Sequence, residues 1–156
     1  MNGYCLGYGL TLVTRCDFVI AADNAQFGFP EVRLGVPTIV GALRLPDRVG
    51  WSNAMELLLT GDRVDASRAQ EIGLAWKVVP SGELMGEARR LAGRLLQAAP
   101  PAARATKEVA ARGRYLPWVE AVRFGETMRR VAAATDDATE GWTAERERRP
   151  PNWRGR

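Results

Sequence analysis

A glycine turn near the start of the chain has the spacing that chemistry at a backbone requires. The segment reads Asn2-Gly3-Tyr4-Cys5-Leu6-Gly7-Tyr8-Gly9, and an apolar helix is predicted over 10–14. Closely spaced glycines let a backbone approach a ligand, and the N–H groups that begin the next helix then point at it. Such groups stabilise a developing oxyanion. Two glycines alone more often form only a turn, and Leu12 stands where a dinucleotide motif needs its third glycine.

A single carboxylate is the second candidate for chemistry. Glu31 lies between Pro30 and the stretch Val32-Arg33-Leu34-Gly35. A carboxylate with apolar neighbours is a candidate general base. A lone glutamate near a turn is usually exposed and inert, so both interpretations stay open on composition alone.

The third candidate is an arginine-rich tail. Arg148 and Arg149 precede Pro150-Pro151, and guanidinium groups bind phosphate bidentately. Acidic residues alternate with these arginines, which is also typical of a solvated helix face.

Composition excludes several classes of site. The chain has no histidine, so Ser–His or Cys–His nucleophile pairs and His-bound metals are excluded. Proton transfer must therefore use Asp, Glu, Lys, Tyr or Cys. Cys5 and Cys16 lack the spacing of a metal-binding pair, and both are expected to be buried. The sequence predicts no metal site.

The bulk numbers indicate a globular protein. Apolar residues make up 46% of the chain and charged residues 26%. No apolar run is long enough to cross a bilayer, and no signal peptide is recognisable, so we expect a cytoplasmic protein without membrane contact. The net charge is +4. Because basic and acidic residues are interleaved, we expect no nucleic-acid partner.

The elements that must position these candidates change in type near residue 80. Apolar runs predict strands over 18–22 and 75–79. A helix is predicted over 51–60, with Met55, Leu58 and Leu59 on one face and Gly61 as its C-cap. A shorter helix is predicted to begin at Asp65, its N-cap, and to end at Gly73. Four helices are predicted after residue 80, over 84–97, 100–112, 117–134 and 136–149. The sequence therefore predicts an α/β core followed by a helical C-terminal layer.

The order of these motifs is more specific than any one of them. Taken together they resemble the enoyl-CoA hydratase/isomerase family, the crotonase superfamily, and the tail resembles its carnitinyl-CoA dehydratase-like members. The resemblance is carried by the glycine turn, Cys16-Asp17, Ala25-Gln26-Phe27-Gly28, Pro30-Glu31, Leu34-Gly35, Arg44-Leu45-Pro46, Leu59-Thr60-Gly61, Gly73-Leu74, Val78-Val79, Glu140-Gly141 and Arg149-x-Pro151-x-Trp153.

The resemblance implies a fold and a reaction class. Residues 1–80 are expected to form the C-terminal part of a crotonase-like ββα spiral that carries the site, and residues 81–156 a helical region of the trimerisation type. The substrate is expected to be a coenzyme A thioester, processed without a tightly bound cofactor by a homotrimer or hexamer. An enolate intermediate would form, as in enoyl-CoA hydratases and isomerases of fatty acid metabolism.

The resemblance also implies a role for each site residue. Glu31 would be the acid/base, and the Tyr8 backbone N–H would be one donor of the oxyanion hole. Residues lining the site or contacting substrate are expected to be Gly7, Gly9, Thr11, Pro30, Pro37 and Arg148.

Three departures from the family pattern affect the expected reaction. Thr11 stands where hydratases carry their first catalytic glutamate, which favours one-base chemistry such as isomerisation; a catalytically inactive remnant is the alternative. Tyr8 replaces the usual glycine, and the loop 35–41 is one residue short, with Val40 in place of a glycine. A full family member has about a hundred more residues before Asn2, the scale of a single domain, so we expect an N-terminally truncated chain.

Overall fold

Very short strands, separated by turns, form the sheets of this protein. The computed structural model describes residues 1–156, and its strands are β1 (Tyr4–Leu6), β2 (Ile20–Ala22), β3 (Gln26–Gly28), β4 (Arg63–Asp65) and β5 (Lys77–Val79). β1 pairs with β3 in parallel, and β3 pairs with β4 antiparallel. β2 pairs with β5 in parallel in a second sheet. Since parallel neighbours require a crossover connection, helices lie between the paired strands.

Eight α-helices account for most of the remaining chain. They are α1 (Tyr8–Val13), α2 (Val40–Val49), α3 (Trp51–Thr60), α4 (Ala66–Glu71), α5 (Leu84–Leu95), α6 (Pro100–Gly113), α7 (Trp118–Ala133) and α8 (Asp136–Glu147). A 3₁₀ helix spans Pro30–Leu34 and another spans Ser81–Glu83. The α/β fold that the sequence predicts is confirmed. None of the helices combines the length and the apolar content needed to span a bilayer.

The chain divides into two compact units, Met1–Arg90 and Leu91–Arg156. The first contains the main apolar core, whose largest fully buried side chains are Phe27, Phe29, Leu10, Leu45, Leu57 and Leu74. These side chains come from β3, from α1–α3, from the turn after β3 and from the turn between α4 and β5, so the core packs the strand ends against the helices. The predicted functional boundary at residues 80 and 81 stays a prediction.

Polar contacts hold the C-terminal tail against the helices of the second unit. Asp137, on α8, is buried and accepts hydrogen bonds from the backbone N–H groups of Arg154 (2.7 Å) and Gly155 (2.9 Å). The Trp153 indole N–H donates to the Gln97 carbonyl at 3.0 Å. Few apolar side chains of this unit are buried, so these bonds define the path of residues 149–156.

Two details of packing differ from the sequence predictions. Cys5 is buried, and burial raises the pKa of its thiol to about 11, whereas Cys16 is exposed. The predicted apolar face of α3 is wrong at Leu59, which is 67% exposed. Leu58 is buried and Met55 packs against the core as predicted, and Ala54 and Leu57 complete the buried face.

Candidate active site

The glycine turn follows β1 directly and is fixed by its backbone. Gly7 has φ 55° and ψ −121°, a conformation that glycine reaches at little cost. Its N–H donates to the Gly28 carbonyl at 2.9 Å, and its carbonyl accepts from the Thr11 N–H at 3.0 Å. The N–H groups of Tyr8 and Gly9 precede the first intrahelical bond of α1, so they have no acceptor within the helix. The turn therefore offers backbone donors.

Glu31 reaches the same edge of the sheet from the neighbouring strand. Leu6 of β1 is in register with Gly28 of β3, so the segments after both strands begin side by side. In parallel α/β sheets, ligands bind at the carboxyl ends of the strands. Pro30 starts the 3₁₀ helix, Gly35 ends it with φ 78°, and the Glu31 carbonyl accepts from the Val36 N–H at 3.2 Å. This short helix sets the direction of the Glu31 side chain.

The Glu31 carboxylate lies against the Gly7 turn. A Cβ placed on Gly7 would lie 3.0 Å from Glu31 Oε1 and 3.8 Å from Oε2. Glu31 Oε2 is the one buried side-chain oxygen or nitrogen of the chain without a hydrogen-bond partner. Because buried polar atoms are almost always paired, an unpaired carboxylate oxygen beside backbone donors makes Glu31 a candidate functional residue. It can accept a proton from a bound molecule.

Close backbone contacts support the segment that carries Glu31. Gly41, on α2, packs on the buried Phe29 ring, and an added Cβ would meet that ring at 2.5 Å. An added Cβ on Gly28 would lie 2.9 Å from the Asp62 carbonyl. These contacts join segments far apart in the sequence, so no local motif could have identified them. Phe29 and Gly41 are the supporting residues that the sequence analysis missed.

The other predicted residues of the first unit differ in exposure. The Tyr8 side chain is 76% exposed and Thr11 is 7% exposed, so the first points to solvent and the second is buried. Gly9 is exposed, and an added Cβ would meet nothing within 4 Å. Pro37 is exposed, and Pro30 is half-buried beside Glu31. The structure thus brings together the Gly7–Tyr8 turn and Pro30–Glu31.

The two tail arginines have different environments in the second unit. Arg148 ends α8 in a left-handed conformation, φ 54°, and is exposed. Arg149 instead forms a bidentate pair with Glu140, at 2.7 Å and 2.9 Å. Those bonds, with one from the Asn152 N–H, lower the pKa of Glu140 to about 2. The guanidinium of Arg149 is therefore already paired with carboxylates, although both tail arginines are exposed. No cluster of three or more acidic or cysteine side chains is arranged for a metal.

Solved structures of similar fold cover nearly the whole chain. An enoyl-CoA hydratase from Mycobacterium tuberculosis H37Rv is 35% identical and superposes with a TM-score of 0.95, over 99% of this chain and 62% of that one. An enoyl-CoA hydratase from Bacillus anthracis is 34% identical, with a TM-score of 0.95, over 99% of this chain and 60% of that one.

Sequence relatives point to the same family. The chain is 42% identical over 154 residues to a crotonyl-CoA hydratase from Syntrophomonas wolfei, covering 98% of this chain and 59% of that protein. It is 38% identical over 161 residues to the carnitinyl-CoA dehydratase of Escherichia coli K12, covering 100% of this chain and 62% of that protein. The chain thus spans about three fifths of the length of these relatives. The family model for enoyl-CoA hydratase/isomerase matches residues 1–156, and the chain belongs to that family.

Proposed function

We propose that this chain carries the acid/base half of an acyl-CoA site, in which Glu31 moves a proton and the Tyr8 backbone N–H stabilises a thioester enolate. The observation that carries the proposal is the buried, unpaired Glu31 Oε2 beside the Gly7 turn. A base must lie within hydrogen-bond reach of the proton it removes, and an oxyanion donor must lie near the oxygen that gains charge. The two groups share one edge of the sheet.

The proposed reaction is migration of a double bond along the acyl chain. Glu31 removes a proton from C2 of a 3-enoyl thioester, and the electron pair moves to the thioester oxygen, where the Tyr8 N–H donates a hydrogen bond. The same carboxyl then returns the proton to C4, which yields the conjugated 2-enoyl thioester. One base is sufficient because the proton removed is the proton returned.

Thr11 is the reason for preferring isomerisation to hydration. By resemblance it occupies the position of a second catalytic glutamate, and a hydroxyl has no pKa suited to acid/base work. Thr11 is buried in α1 and can orient a water molecule without activating it. We therefore expect hydration of 2-enoyl thioesters to be slow relative to isomerisation.

Replacing Glu31 tests the role of the base. In the Glu31→Gln variant of the full-length gene product, we expect kcat for isomerisation to fall by about 10²–10⁴-fold, the usual contribution of a general base. Acyl-CoA affinity should persist, because the amide keeps the size of the side chain. Quenched, time-point assays of 3-enoyl-CoA conversion measure kcat, and isothermal titration calorimetry measures the Kd for acyl-CoA.

Glu83 provides a matched control. It also lies in a 3₁₀ helix but is exposed, so Glu83→Gln should keep full turnover. Retention of turnover by Glu31→Gln would refute the assignment of Glu31. Hydration faster than isomerisation in the unmodified protein would refute the one-base reaction.

A second function, assembly without catalysis, is favoured by Thr11 and by apolar side chains exposed on the second unit. These side chains are Trp118, Val119, Val122, Val131 and Trp142. Under this alternative the helical region would form a homotrimer or hexamer and the remnant of the site would be inactive. Its distinguishing result is an oligomer by light scattering that neither binds nor converts acyl-CoA. With either function we propose a cytoplasmic protein that has no tightly bound cofactor.

A further inference from the structure

We infer that Arg33 is a positioning residue, which holds the 3₁₀ helix Pro30–Leu34 in place and thereby keeps the Glu31 carboxylate against the Gly7 turn. The inference rests on the proposed role of Glu31 and adds to it the group that sets its position. Arg33 does not touch the carboxylate. It acts through the helix that both residues share.

The Arg33 side chain joins that helix to the end of α3. Its Nε donates to the Thr60 carbonyl at 2.7 Å, and its Nη2 forms an ion pair with Asp62 Oδ1. The acceptors lie on either side of Gly61, the left-handed residue that ends α3. A planar guanidinium with donors in a fixed fork meets both acceptors at once, whereas a lysine ammonium is a point charge.

The acceptor segment is itself ordered. The Thr60 hydroxyl donates to the Glu56 carbonyl at 2.6 Å and accepts from the Asp62 N–H at 3.0 Å, so the end of α3 is a rigid support. An added Cβ on Gly61 would meet Arg33 Cγ at 3.0 Å and Val32 Cγ1 at 3.1 Å. The Gly61 backbone therefore packs closely against the Val32 and Arg33 side chains, which leaves the 3₁₀ helix little freedom on this side while the arginine holds it there.

The exposure of the Arg33 and Asp62 side chains distinguishes a positioning role from a contribution to folding stability. The Arg33 and Asp62 side chains are 57% and 62% exposed, and exposed ion pairs add little to the free energy of unfolding. A displacement of a catalytic group by about 1 Å, in contrast, can cost up to about 10²-fold in rate. Loss of Arg33 should therefore affect turnover much more than stability.

The test combines kinetics with crystallography of the full-length gene product. Arg33→Met keeps the aliphatic stem on Gly61 and removes both donors. We expect kcat to fall by roughly tenfold with KM within about twofold, since positioning affects the chemical step. Arg33→Lys should recover part of kcat. In crystals of Arg33→Met, the Glu31 carboxylate should have moved away from the Gly7 turn.

Arg123→Met is the control, because the Arg123–Glu120 pair is similarly exposed, at 73% and 54%, and lies on α7. Should Arg33→Met not fold, Asp62→Ala removes the ion pair and leaves the bond to Thr60. The inference is overturned if the carboxylate stays beside Gly7 in these variants, or if their kcat equals that of Arg123→Met. Full activity of Glu31→Gln would instead refute the proposed function of Glu31. The crystal structures of the Arg33 variants would still show whether Arg33 sets the position of the Glu31 side chain.

Discussion

The site depends, at the scale of single residues, on how closely the Gly7 backbone approaches the Glu31 carboxylate. Any side chain at position 7 would begin 3.0 Å from Glu31 Oε1. Position 7 is therefore restricted both by its positive φ and by the acid that it faces. The two restrictions can be separated by experiment, because Gly3 also has a positive φ but does not face a carboxylate.

Gly7→Ala is expected to lose more activity than its loss of stability explains. The backbone strain costs about 1–3 kcal/mol of unfolding free energy, and the new methyl group displaces the carboxylate. Gly3→Ala is the control, since Gly3 has φ 70° and an added Cβ would meet nothing within 4 Å. Urea unfolding and kcat should show similar destabilisation of both variants but a large loss of kcat only for Gly7→Ala. Equal kcat values would contradict the proposed contact.

Gly7 and Glu31 could be singled out from the sequence as candidate site residues, but the residues that support them could not. Gly7 and Glu31 lie in short motifs whose residue types carry chemical meaning. In the sequence, Arg33 is typical of a solvated surface charge. Its hydrogen-bond partners, Thr60 and Asp62, lie 27 and 29 residues further along the chain. Contacts between distant segments leave no periodic pattern, so Arg33 and Gly41 could be recognised only in the folded chain.

The elements themselves were predictable where a helix has clear end signals. α3 has the predicted bounds, because Gly61 adopts the left-handed conformation that ends a helix. Asp65 caps α4 by accepting from the Arg68 N–H at 2.8 Å, as predicted. β1, β3 and β4 were not predicted, because they lack the longer apolar runs that surround β2 and β5. α1 begins at Tyr8, earlier than the predicted Leu10, because Gly7 starts the turn.

The packing of the C-terminal tail should become less stable as the pH falls and Glu140 is protonated. Hydrogen bonds from Arg149 and the Asn152 N–H lower the pKa of Glu140 from its ordinary 4.5 to about 2. The folded state thus favours the carboxylate, and this stabilisation is complete above 4.5 and is lost as the pH falls towards 2. Glu140→Gln should lower the free energy of unfolding at neutral pH. The difference in unfolding free energy between the variant and the unmodified chain should become smaller below pH 4.5.

Urea midpoints across this range measure the narrowing for Glu140→Gln. Glu145→Gln, an exposed position on α8, serves as the control and should show no such trend. A gap that stays constant with pH would mean that the pair with Arg149 does not stabilise the folded tail.

The whole molecule consists of two units that differ in how they are stabilised. The first unit has an apolar core around Phe27 and Phe29, whereas the second buries few apolar side chains and encloses the hydrogen-bonded carboxylate of Asp137. All the predicted site residues except Arg148 lie in the first unit. A ligand that binds the site should therefore stabilise mainly residues 1–90.

Acyl-CoA should raise the melting temperature of the protein if the site binds its proposed ligand. At a ligand concentration of about 100 times Kd, the stabilisation is about 2.7 kcal/mol, which corresponds to roughly 5–10 °C for a protein of this size. Differential scanning fluorimetry with butenoyl-CoA, and with free butenoate as control, measures the shift. An unchanged melting temperature, combined with an oligomer in solution, would favour the assembly module.

The contact between positions 7 and 31 also couples the evolutionary histories of those positions. While the acid persists, a side chain at 7 is penalised by both the backbone and the carboxylate. Once a lineage loses the acid, only the penalty from the Gly7 backbone conformation remains, so a side chain at 7 costs less than before. A related sequence with a side chain at position 7 is therefore expected to have lost the acid at position 31 as well. A substitution at this one glycine would then identify relatives that are no longer catalytic.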